Sequence, residues 1–338
     1  MKYRLRVALS VLLLLGLFFY SGELSGYLQV LDKLSVLGIL TVLLLVMLDR
    51  LLMTYKWLRL LAMRDVNAPL LPSMKIYCYS LICGLFLPAT IGADSARIYC
   101  MRNMGFRLSE LVASVLVERI LGFIAVASVA LVGTLYLASG HPDSPLFSET
   151  LIIVAFTLSL SIVMFLISLN DRVFRWALSL LPDFVRKNIY FGKVIDFHGL
   201  YVGYKSQNAE LMLFYVLSFL EQLLVVTIFW VICLDLGVGI EYLQLLGAVM
   251  ITLIVARIPI SPGGLGVFEG TFVMMLALYG IEPTVSLSMA IIYRVLQILA
   301  SLPWFIVHSF ERKSIDTKGP LESGLVSEST SFVKVKGR

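Results

Sequence analysis

Eight ionisable residues lie within otherwise apolar sequence: Asp94, Arg97, Glu118, Arg119, Glu221, Arg257, Glu269 and Arg294. Four are acids and four are bases, so together they carry no net charge. Arg119 and Arg294 each fall ten residues into a predicted helix, which at 1.5 Å per residue is about 15 Å from its start and close to the centre of a bilayer. An isolated ionised group at that depth costs from about 3 to over 10 kcal/mol, so each must pair, face water or bind something charged. Two compatible readings follow. In one, the acids and bases pair with one another and fasten neighbouring segments. In the other, Arg119 and Arg294, together with free N–H groups at helix N-termini, hold an anionic head group: the helix dipole favours a phosphate there, and arginine grips phosphate through two parallel hydrogen bonds. The acids then pair with the arginines or recognise a cationic part of the ligand, and the pairs open when the ligand arrives.

These charges cluster around two breaks. "LPATIGADSAR" (87–97) contains Pro88 and Gly92, and "IPISPGGLGVFEG" (258–270) contains Pro262, Gly263, Gly264 and Gly266. Proline and glycine interrupt a helix, and the glycines let backbone or ligand approach closely. At an offset of 175 residues Asp94 aligns with Glu269, Gly105 with Gly280, Ser109 with Thr284 and Arg119 with Arg294. The interval from acid to arginine is 25 residues in both copies. Each copy reads as a break, an acid, a returning helix, a terminating glycine, a Ser/Thr N-cap and a long helix bearing the arginine. Other chemistry has no support. His141, His198 and His308 are scattered, Cys78, Cys83, Cys100 and Cys233 form no CxxC pair, and no phosphate loop, nucleophile elbow or HExxH is present. No metal, cofactor or nucleic-acid partner is expected.

The elements that must carry these residues are membrane helices. The chain of 338 residues is 59% hydrophobic and only 14% charged, with a mean hydropathy of +0.93, more apolar side chain than a soluble domain can bury. Six segments read as full spans, 7–21, 34–54, 109–138, 150–169, 209–236 and 284–310, with the first a retained helix rather than a cleaved signal. Two broken segments, 74–92 and 243–280, read as re-entrant hairpins. With both termini cytoplasmic, this path puts 22 of the 27 basic residues inside, including five in 50–75, and only Lys33 outside. Residues 171–206, interrupted by Pro182, read as one or two amphipathic helices on the inner leaflet, and 311–338 as a polar, disordered tail. The expected fold is an all-α polytopic membrane protein of about six transmembrane helices plus two re-entrant hairpins. It forms one domain over 1–310, with inverted pseudo-repeats at about 1–138 and 150–310, the arrangement in which transporters place substrate at the repeat interface.

Three stretches carry a family resemblance: "LFLPATIGADSARIYCMRNMGFRLSELVASVLVERILGF" (85–123), "IPISPGGLGVFEG" and "DRLLMTYKWLRLL" (49–61). They resemble the flippase-like membrane domain of lysylphosphatidylglycerol synthases over about residues 5–310. One departure is Ala93, where that family commonly has a second glycine before the aspartate. The resemblance implies translocation or handling of a lipid in the cell membrane, and argues against the synthase reaction, which belongs to a separate soluble domain. The expected activity is non-enzymatic: transport of a phospholipid or a polyprenyl-phosphate-linked lipid, in cooperation with a separately encoded lipid-modifying enzyme. The alternatives are an integral membrane transferase using Asp94 or Glu269 as base, and an accessory subunit of a lipid-modifying system.

Overall fold

A computed structural model of the chain describes residues 3–21, 24–86, 91–140, 145–179, 191–258 and 261–317. Thirteen α-helices account for the regular structure among them: α1 Tyr3–Ser21, α2 Leu24–Asp32, α3 Val36–Ala62, α4 Leu70–Phe86, α5 Ile91–Asn103, α6 Leu108–Gly140, α7 Pro145–Ser168, α8 Asp171–Ser179, α9 Phe191–Val202, α10 Asn208–Leu236, α11 Tyr242–Ala256, α12 Val267–Ala277 and α13 Pro283–Thr317. The molecule is inverted relative to a soluble protein. Leu37, Ile152, Phe156 and Met164 are exposed on its surface, whereas Asp49, Lys56, Arg97 and Glu269 are buried. Apolar surface with a charged interior is stable only if lipid is the solvent, and within lipid a helix is the element that satisfies its own backbone. The chain is an all-α, multi-pass membrane protein.

Five helical stretches are long and apolar enough to cross a bilayer: Val36–Ala62, Leu108–Gly140, Phe147–Ser168, Asn208–Leu236 and Pro283–Ser309. The expected span at 7–21 qualifies only when Ser10–Tyr20 is joined to Ser25–Asp32, and the two are bent by 85°. The sequence between carries Gly22 and Glu23, which end the apolar run. The expected span 34–54 is too short. Helix α3 continues to Ala62 and buries Arg50, Thr54, Lys56 and Trp57, so Arg50 and Lys56 belong to the interior and not to a solvated loop. Helix α13 likewise reaches Thr317, so residues 311–317 are helical and not part of a disordered tail; 318–338 lie outside the described residues. Segment 171–206 forms α8, α9 and a 3-10 turn at Gly203–Ser206, with Pro182 outside the described residues.

The offset of 175 residues maps α3, α4, α5 and α6 onto α10, α11, α12 and α13, with starts that agree within three residues. Each copy contains a hairpin. Helix α4 packs along α5, so closely that a Cβ on Gly84 would lie 2.8 Å from that of Ala93, and α11 packs along α12 in the same way. The halves interlock by exchange: α6 lies on α11, α13 lies on α4, and α3 and α10 cross at the centre. Gly105 and Gly280 follow α5 and α12 with φ of 93° and 70°, terminators in the left-handed region. Ser109 and Thr284 are not N-caps, because the helices begin one residue earlier, at Leu108 and Pro283; proline is favoured at that first position. Ser35 does cap α3. Its hydroxyl oxygen accepts from Gly38 N–H at 2.9 Å, while its own N–H donates to Asp235 on α10 at 2.9 Å, tying the ends of the two central helices together.

The α6–α11 crossing depends on two glycines. A Cβ built on Gly133 would come within 2.6 Å of the Gly247 backbone, whereas one built on Gly122 of the same helix meets nothing within 4 Å. The same substitution should therefore have opposite signs. Gly133→Ala should destabilise by about 1–3 kcal/mol through overpacking, and Gly122→Ala should stabilise by up to about 1 kcal/mol through helix propensity. Thermal unfolding of the purified protein in micelles checks this, and equal effects would contradict the close crossing.

Candidate functional site

The first hairpin and the helix after it bring four of the expected charges onto one another. Asp94 lies in the first turn of α5. Arg119 on α6 donates to both of its carboxylate oxygens, from Nε at 2.9 Å and from Nη2 at 2.9 Å. Arg97, one turn further along α5, donates to Asp94 at 3.2 Å and to Glu118 at 2.6 Å. Its guanidinium also lies over the rings of Trp57, at 4.2 Å, and Tyr77, at 4.7 Å. Tyr77 donates its hydroxyl to Glu118 at 3.2 Å, and Trp57 Nε1 donates to Ser114 at 3.2 Å. Helices α3, α4, α5 and α6 thus converge on Arg97, which is only 2% exposed. Gly92 opens this turn; Pro88 lies outside the described residues.

The second hairpin repeats the pairing with a different break. Pro262–Gly264 form a 3-10 turn, and Gly263, Gly264 and Gly266 have φ of 58°, 69° and 81°, a run of left-handed backbone that only glycine adopts without strain. Glu269 then opens α12. Its Oε2 accepts from the Gly266 N–H at 2.7 Å and its Oε1 accepts from Arg294 Nε at 2.7 Å. Arg294 also donates to the Gly263 carbonyl at 3.3 Å. The two acid–arginine pairs aligned by sequence are therefore real partners, each within its own half. At this hairpin the N-terminal N–H of Gly266 is taken by Glu269 itself, so it is not free for a ligand.

Two partnerships come from residues not expected to be interior. Lys56 of α3 pairs with Glu221 of α10 and donates to Ser218 at 3.0 Å. Beside them Asp49 and Arg50 pair at 3.4 Å; Asp49 Oδ1 and Arg50 Nε are buried without a hydrogen-bond partner. All three lie on α3 beyond or at the margin of where its charges read as a helix end. Their signal is helical spacing, since Asp49, Met53 and Lys56 repeat at intervals of four and three residues and share one face. The interior balance changes accordingly. Each of the five carboxylates has a cation in ion-pair contact: Asp49 with Arg50, Asp94 with Arg119, Glu118 with Arg97, Glu221 with Lys56 and Glu269 with Arg294. Arg257, at the end of α11, has no ion pair and no side-chain hydrogen bond among the described residues. Its guanidinium lies over the ring of Phe123, 5.5 Å from the centroid.

These charges line adjoining cavities. A cavity of about 300 Å³ lies between the halves, walled by Asp49 and Arg50 from one and by Glu221, Arg257, Gly263 and Arg294 from the other. A second, of about 130 Å³, is lined by Lys56, Asp94, Arg97, Glu118 and Arg119, and shares Glu221 and Arg257 with the first. Arg119 and Arg257 also form the polar end of a third, of about 540 Å³, otherwise walled by Ile120 and Phe123 of α6 and Leu160, Met164 and Phe165 of α7. That third space is an apolar groove at the lipid-facing edge, for α7 packs chiefly on α6 and its span is only 6% buried. The arrangement couples a polar, hydrogen-bonding interior to an apolar channel through two guanidinium groups. Among the described residues no group of three or more His, Cys, Asp or Glu side chains could hold a metal ion; His198 instead stacks on Phe174 at 3.5 Å.

Comparison with known families is consistent with this architecture. The family model for the lysylphosphatidylglycerol synthase TM region matches residues 4–303. No curated protein matches the chain.

The Arg97 cluster yields a stability test. Replacing Arg97 by Gln leaves Glu118 buried without the cation that neutralises it, a loss of about 3–5 kcal/mol. Denaturant unfolding in micelles should show that loss, and adding Glu118→Gln should recover much of it. An Arg97→Gln protein as stable as the original would mean that the pair is solvated.

Proposed function

We propose, on the premise that the chain belongs to the lysylphosphatidylglycerol synthase transmembrane-region family, that it is a transporter which binds a lipid with an anionic, phosphate-containing head group and moves it between leaflets of the cell membrane. The observation that carries this reading is the adjacency of the polar cavities to the apolar groove between α6 and α7, which have Arg119 and Arg257 as common wall residues. A head group needs hydrogen-bond donors and counter-charge, and its chains need an apolar wall open to the bilayer; the adjoining cavities and groove offer both. Arg119 suits the role of a mobile contact. Its side chain is 46% exposed, and Asp94 retains Arg97 at 3.2 Å if Arg119 turns away. Arg294 is the second candidate, although Glu269, 1% exposed, depends on it more heavily.

In this reading the hairpins α4–α5 and α11–α12 are re-entrant and enter from opposite sides, and the two halves form an inverted repeat with the lipid site between them. Both termini are cytoplasmic, and the helices α8 and α9 lie on the inner leaflet. The broken backbone at Pro262–Gly266 is tolerable because it is buried at Pro262 and Gly266 and lines the polar cavity at Gly263. The role is transport without bond making, in a system where a separate protein supplies or modifies the lipid.

Reconstituted vesicles test the proposal. The wild-type protein should equilibrate a fluorescent anionic phospholipid between leaflets faster than protein-free vesicles. Arg119→Gln, which leaves Asp94 paired, should slow that movement by about tenfold or more through loss of a bidentate contact. Equal rates with and without wild-type protein would overturn it.

A further inference from the structure

The interior charges separate into two kinds. Five carboxylates and five cations neutralise one another in contacts that hold helices together. Arg257 is the one cation lining these spaces that is outside those pairs among the described residues, and it is also the residue common to all three adjoining spaces. Glu221 lines two of the same cavities but is engaged by Lys56 and receives a further hydrogen bond from Gln222 at 3.3 Å. Arg119, the other guanidinium at the junction, is held by Asp94. The site therefore carries one uncompensated positive charge.

We infer that the cargo, on the transport reading above, is a lipid whose head group bears a single net negative charge at a phosphodiester, with Arg257 as its counter-charge and specificity determinant. The balance discriminates between head groups. A phosphodiester monoanion brings the site to neutrality and accepts the N–H donors that Arg257 does not use within the protein. A zwitterionic head brings no net charge and leaves the surplus. A head with net positive charge, such as lysylphosphatidylglycerol, adds a second uncompensated cation in low dielectric, where like charges are most costly. A phosphomonoester, near two negative charges at neutral pH, overshoots. From Arg257 the chains of a diester lipid run into the groove between α6 and α7, whose wall at Phe123, Leu160 and Met164 is apolar.

Two sources share this chemistry: a glycerophospholipid such as phosphatidylglycerol, and a polyprenyl-phosphosugar. The test is lipid retention by the full-length protein, measured by native mass spectrometry after incubation with matched amounts of five probes. These are phosphatidylglycerol, a polyprenyl-phosphosugar, phosphatidylcholine, lysylphosphatidylglycerol and polyprenyl phosphate. Wild type should retain at least one of the two diesters about tenfold over the other three, and which one is retained identifies the source. Arg257→Gln should bring that diester down to the level of phosphatidylcholine, and Arg257→Lys should restore a large part of it. Because no carboxylate depends on Arg257, the Gln variant should keep the wild-type unfolding temperature, which separates lost binding from lost fold. Retention of all five lipids alike, preference for lysylphosphatidylglycerol or polyprenyl phosphate, or an Arg257→Gln protein that binds as wild type would overturn the inference while leaving lipid binding in place. A wild-type protein that retains none of the five would overturn the transport reading with it.

Discussion

A charge inside an apolar bundle must meet its opposite, and this constraint decides where one of the least apolar helices of the molecule can lie. Helix α5, with the sequence IGADSARIYCMRN, has little hydrophobic surface with which to pack. It is held by Arg97 and Asp94. Arg97 joins α5 to Glu118 of α6, to Trp57 of α3 and to Tyr77 of α4, and Asp94 adds Arg119. Ionic and cation–π contacts strengthen as water is excluded, so the lipid-facing shell outside and the charge cluster inside support each other. The second half meets the same geometric demand with other means. Its hairpin is anchored by Phe268 and Phe272 against Phe229 and Tyr293, with ring centroids as close as 4.8 Å, and one ion pair completes it.

The exchange of helices between the halves follows from that difference. Helix α6 carries Arg119 and Glu118 yet packs on α11 of the other half, and α13 carries Arg294 yet packs on α4. Each arginine therefore sits on a helix shared by both halves. The central cavity is walled by Asp49 and Arg50 on one side and by Glu221 and Arg294 on the other. No rigid displacement of one half against the other can leave its volume or its charge spacing unchanged. The crossing at Gly133 and Gly247 is backbone against backbone, and contacts of that kind permit sliding more readily than interlocked large side chains.

Much of this was readable from residue types alone, for a physical reason. An acid and an arginine at the same interval in two copies are conspicuous when everything around them is apolar, and glycines at left-handed positions have few alternative uses. Hence the common acid-to-arginine interval of Asp94–Arg119 and Glu269–Arg294, the break at Pro262–Gly266 and the matching order of helices were visible. What stayed hidden was the far end of α3. Its Asp49, Arg50, Lys56 and Arg59 look like the polar end of a span, because a hydropathy argument has no way to tell charges that leave the bilayer from charges that turn inward. The difference lies in the partner: Arg59 reaches the half-exposed Glu210, whereas Lys56, 3% exposed, reaches Glu221. Tertiary pairing across 165 residues leaves no local trace. The interior that balanced on sequence, four acids against four bases, therefore carries one cation more.

That surplus bears on how Arg257 is sustained. It sits at the C-terminal end of α11, where the helix dipole is negative, and near the face of Phe123. Those two effects are worth about 0.3–1 and 0.5–2 kcal/mol respectively, which offsets only part of the cost of an unpaired guanidinium. They do not satisfy it. A dipole and a ring offset charge, but they do not provide oxygen acceptors along the plane of the N–H donors. Those acceptors must come from whatever enters the adjoining spaces, water when they are open and a ligand oxygen when they are filled. A paired arginine such as Arg97 has its acceptors built in and serves the fold. An arginine whose charge is only offset, placed where three cavities meet, has its donors directed at the contents of the site.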